Sequence, residues 1–108
     1  MLHHCLLYME PNGAGDGTHK SDIGLQPSTS QLLSGWAPGN VSIPLGRDIG
    51  LETIQGPNAR FAIELHYNTS ANPASRQDRS GARVCATSKL RPKEAAVHWL
   101  GTQAIASF

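Results

Sequence analysis

Between positions 60 and 68 the chain alternates. Phe61, Ile63, Leu65 and Tyr67 fall on one side, and Ala62, Glu64 and His66 on the other. A period of two marks a strand with one apolar face. The pattern predicts that the four large residues enter a core and that His66 sits on the polar face. Residues 2–9 (LHHCLLYM) read as a second strand, closed by the turn signal Glu10-Pro11-Asn12-Gly13. Residues 32–36 (LLSGW) predict a short strand before the turn Ala37-Pro38-Gly39-Asn40. From 41 to 54, Ile43, Leu45, Ile49, Leu51 and Ile54 are interrupted by Pro44, Gly46 and Gly50. That spacing predicts short strands and turns, with a further turn at Gln55-Gly56-Pro57-Asn58. Residues 81–88 (GARVCATS) read as a strand. So do residues 93–100 (KEAAVHWL), although Glu94-Ala95-Ala96 favours helix locally. Residues 11–31 have no apolar period and predict a long surface loop, and residues 69–80 a polar one.

Short strands separated by turn clusters predict an all-β chain, an antiparallel β-sandwich of jelly-roll type. Eleven glycines and seven prolines among 108 residues agree with a loop-rich β protein. This length allows one small domain, and no repeat or internal boundary divides it. Aromatic residues make up 6% of the chain, so the core is expected to be modest. Trp36 and Trp99 are its natural anchors.

The net charge is +1, from nine basic and eight acidic residues, with no basic stripe, which argues against a nucleic-acid partner. No run of about 18 apolar residues is present, so no membrane span is expected. The apolar run after His3 and His4 is too short for a signal peptide and lacks a basic start.

The chain has five histidines: His3, His4, His19, His66 and His98. Neutral imidazole is the commonest side-chain ligand for copper and zinc. The adjacent pair His3-His4 is therefore a candidate metal site, with His66, on a polar strand face, as the best third ligand. One obstacle is geometric. Neighbouring residues on a strand point to opposite faces, so both rings reach one ion only at a twisted or terminal position. The plain alternative is that these are surface or core histidines without a ligand role. His19 lies in the Gly-rich loop and is expected to be exposed. His98, beside Trp99, is expected to be packed in the core or at its edge.

Several segments in succession carry a resemblance. His3-His4-Cys5-Leu6-Leu7-Tyr8 is similar to a His-His-x-hydrophobic-hydrophobic-aromatic strand. Leu33-Ser34-Gly35-Trp36-Ala37-Pro38-Gly39 is similar to a tryptophan-containing strand and turn. Ile43-Pro44-Leu45-Gly46 through Gly50-Leu51 follows as a proline-glycine stretch. Phe61-Ala62-Ile63-Glu64-Leu65-His66-Tyr67-Asn68 matches a strand that delivers a third histidine, and Asp78-Arg79-Ser80-Gly81 an Asp-x-Ser-Gly turn after it. Residues 90–102 (LRPKEAAVHWLGT) resemble the segment that follows in bacterial-type relatives. In this order and spacing the chain resembles the copper type II, ascorbate-dependent monooxygenases, the family of peptidylglycine alpha-hydroxylating and dopamine beta-monooxygenases.

The resemblance implies two β-sandwich domains, each holding one copper, and residues 1–108 correspond to part of the N-terminal one. It implies that His3, His4 and His66 hold a copper that takes electrons from ascorbate. The second copper, where O2 attacks an aliphatic C–H bond, would be held by a His-x-His pair and a methionine of the next domain. This chain has no His-x-His, and Met1 and Met9 are out of context. No catalytic residue is therefore expected here. The expectation is an electron-transfer copper domain, inactive by itself, whose partner is the second copper domain of the same protein. The chain opens almost on the ligand pair, so the domain's first strands are expected to be absent, which would leave exposed sheet edges. The resemblance also implies an extracytoplasmic or secreted location. The competing functions are a non-catalytic copper or zinc module and a structural interaction domain.

Cys5 and Cys85 leave three roles open: a disulfide between them, a buried free thiol, or Cys5 as a soft fourth ligand. Asn40-Val41-Ser42 and Asn68-Thr69-Ser70 fit the glycosylation pattern.

Overall fold

A computed structural model of the chain describes residues 2–12, 15, 17–18, 30–40, 44–53, 55–68 and 77–98. His19, Trp99 and most of the 11–31 and 69–80 segments lie outside the described residues.

Three strands build the main sheet: β1 (Leu2–Glu10), β2 (Gln31–Trp36) and β4 (Arg60–Tyr67). Two two-residue strands, β3 (Ile49–Gly50) and β5 (Lys93–Glu94), pair apart from it. The sheet order is β2-β1-β4, with both pairings antiparallel. The chain is all-β, with no helix among the described residues. Its three-stranded antiparallel sheet is that of an incomplete β-sandwich.

β1 is the central strand because it is apolar on both sides. Cys5, Leu7 and Met9 line one face, and Leu6 and Tyr8 the other. Such a strand gains most when it is flanked on both edges. The most buried side chains are accordingly Tyr8 and Met9 at its end, with Leu33 from β2. Leu33 is an extra residue: Leu7 faces Ser34 and Tyr8 faces Leu32, so the ladder steps over it. This β-bulge turns Leu33 into the buried cluster. At the same end Glu10 stands opposite Arg60 in register, a favourable cross-strand charge pairing.

The turns fall where the sequence places them. Asn40 N–H donates to Ala37 O at 3.0 Å across Pro38-Gly39, and Gly39 has φ +90°. Proline then glycine at these central positions is type II turn chemistry. Ala59 N–H closes the Gly56 turn on Gly56 O at 3.2 Å.

The structure departs from several expectations and closes one open alternative. The apolar face of β4 is not enclosed: Phe61 is 49% exposed, and Ile63, Tyr67 and Trp36 are exposed beside it. The described residues supply no second sheet across that face, and the segment Ser80–Arg83 covers only part of it. Residues 81–88 form no strand and are exposed throughout. Among the described residues they pair with neither outer strand of the sheet, β2 nor β4, and propensity alone does not make a strand. Of the described residues 93–98 only Lys93–Glu94 pair, and the pairing, with Ile49–Gly50, is parallel rather than antiparallel. It rests on Lys93 N–H to Asp48 O at 3.0 Å, Ala95 N–H to Gly50 O at 2.8 Å and an exposed Lys93–Asp48 ion pair at 2.6 Å. His98 is exposed, not packed. Both cysteines are free, Cys5 half-buried and Cys85 exposed, so no disulfide joins them.

Candidate metal centre

His4 stands directly opposite His66 across the β1·β4 ladder, on one face of the sheet. The next matched pair is Leu2 with Tyr67, so His3 has no partner and is an inserted residue. A β-bulge places two residues of one strand against one of its neighbour. This resolves the geometric obstacle to two adjacent ligands. The bulge cancels the alternation, and His3, His4 and His66 converge.

The convergence is close. The ring centroids lie 5.1 Å apart for His3 and His4, 5.4 Å for His3 and His66, and 4.6 Å for His4 and His66. All three pairs meet in a T-shaped arrangement. The Nδ1 atoms of His3 and His4 are 3.0 Å apart, one ring donating to the other. One ligating atom from each ring lies within 4.8 Å of the others. At metal–nitrogen bonds of about 2.0–2.1 Å, nitrogens 3.0 Å apart subtend roughly 90–100° at the ion, and two nitrogens on one ion can be no more than about 4.2 Å apart, against the 4.8 Å within which these atoms lie. Small ring rotations bring all three onto one ion. Three neutral nitrogen donors therefore fit a borderline metal such as copper or zinc.

His3 and His66 are exposed and His4 is half-buried, so the cluster opens to solvent on one side. Cys5 is not part of it. Past the bulge Cys5 falls on the opposite face, where with Leu2, Leu7 and Trp36 it lines a cavity of about 450 Å³.

The strand that carries His66 is anchored just past it. The Tyr67 hydroxyl donates to Asp78 Oδ2, while Ser80 donates its backbone N–H and hydroxyl to Asp78 Oδ1 at 2.9 and 2.8 Å. This is the chemistry of the Asp-x-Ser-Gly turn: one carboxylate gathers donors from its own loop and from β4. Tyr67 first, then Ser80, hold the Asp78 carboxyl below its ordinary value of 3.8. The same bond, followed by desolvation and the Asp78 charge, pushes the Tyr67 phenol up. A depressed carboxyl contributes stability above its unfolded pKa and loses it as pH falls through the folded one. Asp78→Asn is therefore expected to melt below wild type at neutral pH. The two melting curves, recorded by circular dichroism, should converge as pH drops below 3.8. A gap that persists in acid would mean that the carboxylate charge is not what ties the loop to β4.

Fold and site together define a small β-sandwich sheet bearing an edge-on trihistidine cluster at a β-bulge. The chain is 31% identical, over 94% of its length, to "DBH-like monooxygenase protein 2" of Mus musculus. It is 34% identical, over 65% of its length, to "Dopamine beta-hydroxylase" of Rattus norvegicus. It spans 17% of the first relative and 12% of the second. No protein-family model matches the chain, and no solved structure matches it. The comparisons thus show similarity to monooxygenases of the DBH-like group. No helix among the described residues is long and apolar enough to cross a membrane.

Proposed function

We propose that the chain is a copper-binding electron-transfer unit of an ascorbate-dependent copper monooxygenase, with His3, His4 and His66 as the ligands. The observation that carries this reading is the bulge at His3, which brings two sequence-adjacent imidazoles and a cross-strand third within one metal's reach. The similarity to proteins named as DBH-like monooxygenases supports the oxidoreductase class.

Copper bound here would supply one-electron chemistry between Cu(II) and Cu(I), with ascorbate as the electron donor. The chain's own residues do the rest. Three neutral imidazoles suit both oxidation states. The ladder pair His4–His66 holds two rings in register, and the Tyr67–Asp78 bond steadies the end of β4 next to His66. Solvent exposure of His3 and His66 admits a small reductant. Protonated imidazoles cannot ligate, so metal release in acid follows from the donor set.

Residues 1–108 would form part of the N-terminal copper domain. The partner would be a second copper domain of the same protein, where O2 and an aliphatic C–H bond react, and the location would be extracytoplasmic. A structural zinc site is the second reading. Such sites are closed, with four protein ligands. The described residues bring three histidines together and no fourth group, which favours the open, redox-capable site.

The test is reduction. One equivalent of Cu(II) is added to the purified chain and followed by electron paramagnetic resonance. Ascorbate is expected to abolish the signal, and air to restore it at the same site. A signal that ascorbate leaves intact, or copper lost on reduction, would refute electron transfer.

A further inference from the structure

Glu64 occupies the sheet face that carries the histidines. It stands opposite Leu6, two pairs along the ladder from His4–His66 and so on the same face, diagonal to His4. Diagonal neighbours on one face are roughly 7–8 Å apart and within reach of long side chains. Its surroundings are apolar: Leu6 opposite, and Tyr8 and Ala62 in the next pair. Tyr8 is buried, and its hydroxyl is pushed up first by burial and then by the Glu64 charge, which places the carboxylate near that ring. Yet Glu64 Oε2 is buried and accepts no hydrogen bond. A buried acceptor without a donor is costly, and a charged one more so. A fold keeps such a group when something else supplies the donor.

Metal binding would create that donor. An imidazole that ligates through one nitrogen carries its proton on the other, and this second N–H is normally taken by a carboxylate, a carbonyl or water. His4 is the half-buried ring of the cluster and the one diagonal to Glu64, whereas His3 and His66 are exposed to water. Glu64 is not itself in the group of convergent ligands. We propose that the Glu64 carboxylate accepts the non-ligating N–H of metal-bound His4, fixing that ring's tautomer and strengthening it as a ligand. Glu64 is thus a positioning residue that acts through His4. The inference rests on the three-histidine reading above.

The test uses the full 108-residue chain as wild type, Glu64→Leu, Glu64→Gln and His66→Ala. Cu(II) and Cu(I) affinities are measured by competition with chromogenic chelators, and melting is recorded without metal. Glu64→Leu is expected to melt at or above wild type without metal, because the orphaned carboxylate is gone. It should bind Cu(II) about 10–100-fold more weakly. Glu64→Gln keeps an acceptor but not the charge, so it should lose less affinity and shift the Cu(II)-to-Cu(I) preference toward Cu(I). Opposite signs for metal-free stability and metal affinity are what a merely structural role does not give. If both Glu64 variants bind like wild type while His66→Ala does not, the role of Glu64 is overturned and the three-histidine site stands. If wild type takes up no stoichiometric copper, both fall.

Discussion

His66→Ala is expected to weaken Cu(II) binding by more than about a hundredfold. Outer-shell partners of a metal ligand are typically worth 10–100-fold in affinity, and a direct ligand is worth more. His3 and His4 are neighbours in sequence, so by themselves they offer two nitrogens on a short arm. His66 comes from a strand over fifty residues away, and it turns that arm into a three-nitrogen cluster. Its loss leaves β4 intact, because the side chain is exposed and carries no part of the core. The variant should therefore fold as wild type does and fail only in metal affinity, measured by chelator competition. Binding unchanged within a factor of about three would mean that copper sits on the His3-His4 pair alone.

Leu33→Ala is expected to destabilise the chain by about 2–5 kcal/mol, the usual cost of removing a buried leucine side chain. The size of the effect follows from the poverty of the core. Tyr8, Met9 and Leu33 are the buried hydrophobic residues among those described. Small domains have about 5–15 kcal/mol in total, and this one stands at the low end of what a chain of its length can bury. Urea denaturation should show a lowered midpoint, or no folded baseline at all. Copper binds only the folded site, so a hundredfold excess over its dissociation constant should return about 2.7 kcal/mol. A variant as stable as wild type would show that Leu33 is not where the sheet is held together.

Periodicity made β1, β2 and β4 legible to within a residue at their ends, because each has a strong local pattern and a partner to satisfy. It failed for residues 81–88, whose strand-like composition pairs them with neither outer strand of the sheet, β2 nor β4. Alternation in β4 separated an apolar face from the face that bears His66. It could not say that the apolar face stays exposed, because burial depends on what lies across a sheet. The three histidines were legible as candidates from residue type and from the family resemblance. Their convergence was implied by the resemblance alone, since a one-residue bulge between Leu2 and His4 leaves no mark in the pattern. Glu64 was legible only as a polar-face residue. Its significance is a missing hydrogen bond, which the sequence does not encode locally.

One copper held by three imidazoles has a direct spectroscopic signature. X-ray absorption on the chain loaded with one equivalent of copper counts them directly through the multiple scattering of histidine rings. Three histidines are expected in the Cu(II) form, falling to two in His66→Ala. Two histidines in the wild-type chain, unchanged on removal of His66, would contradict the three-imidazole site.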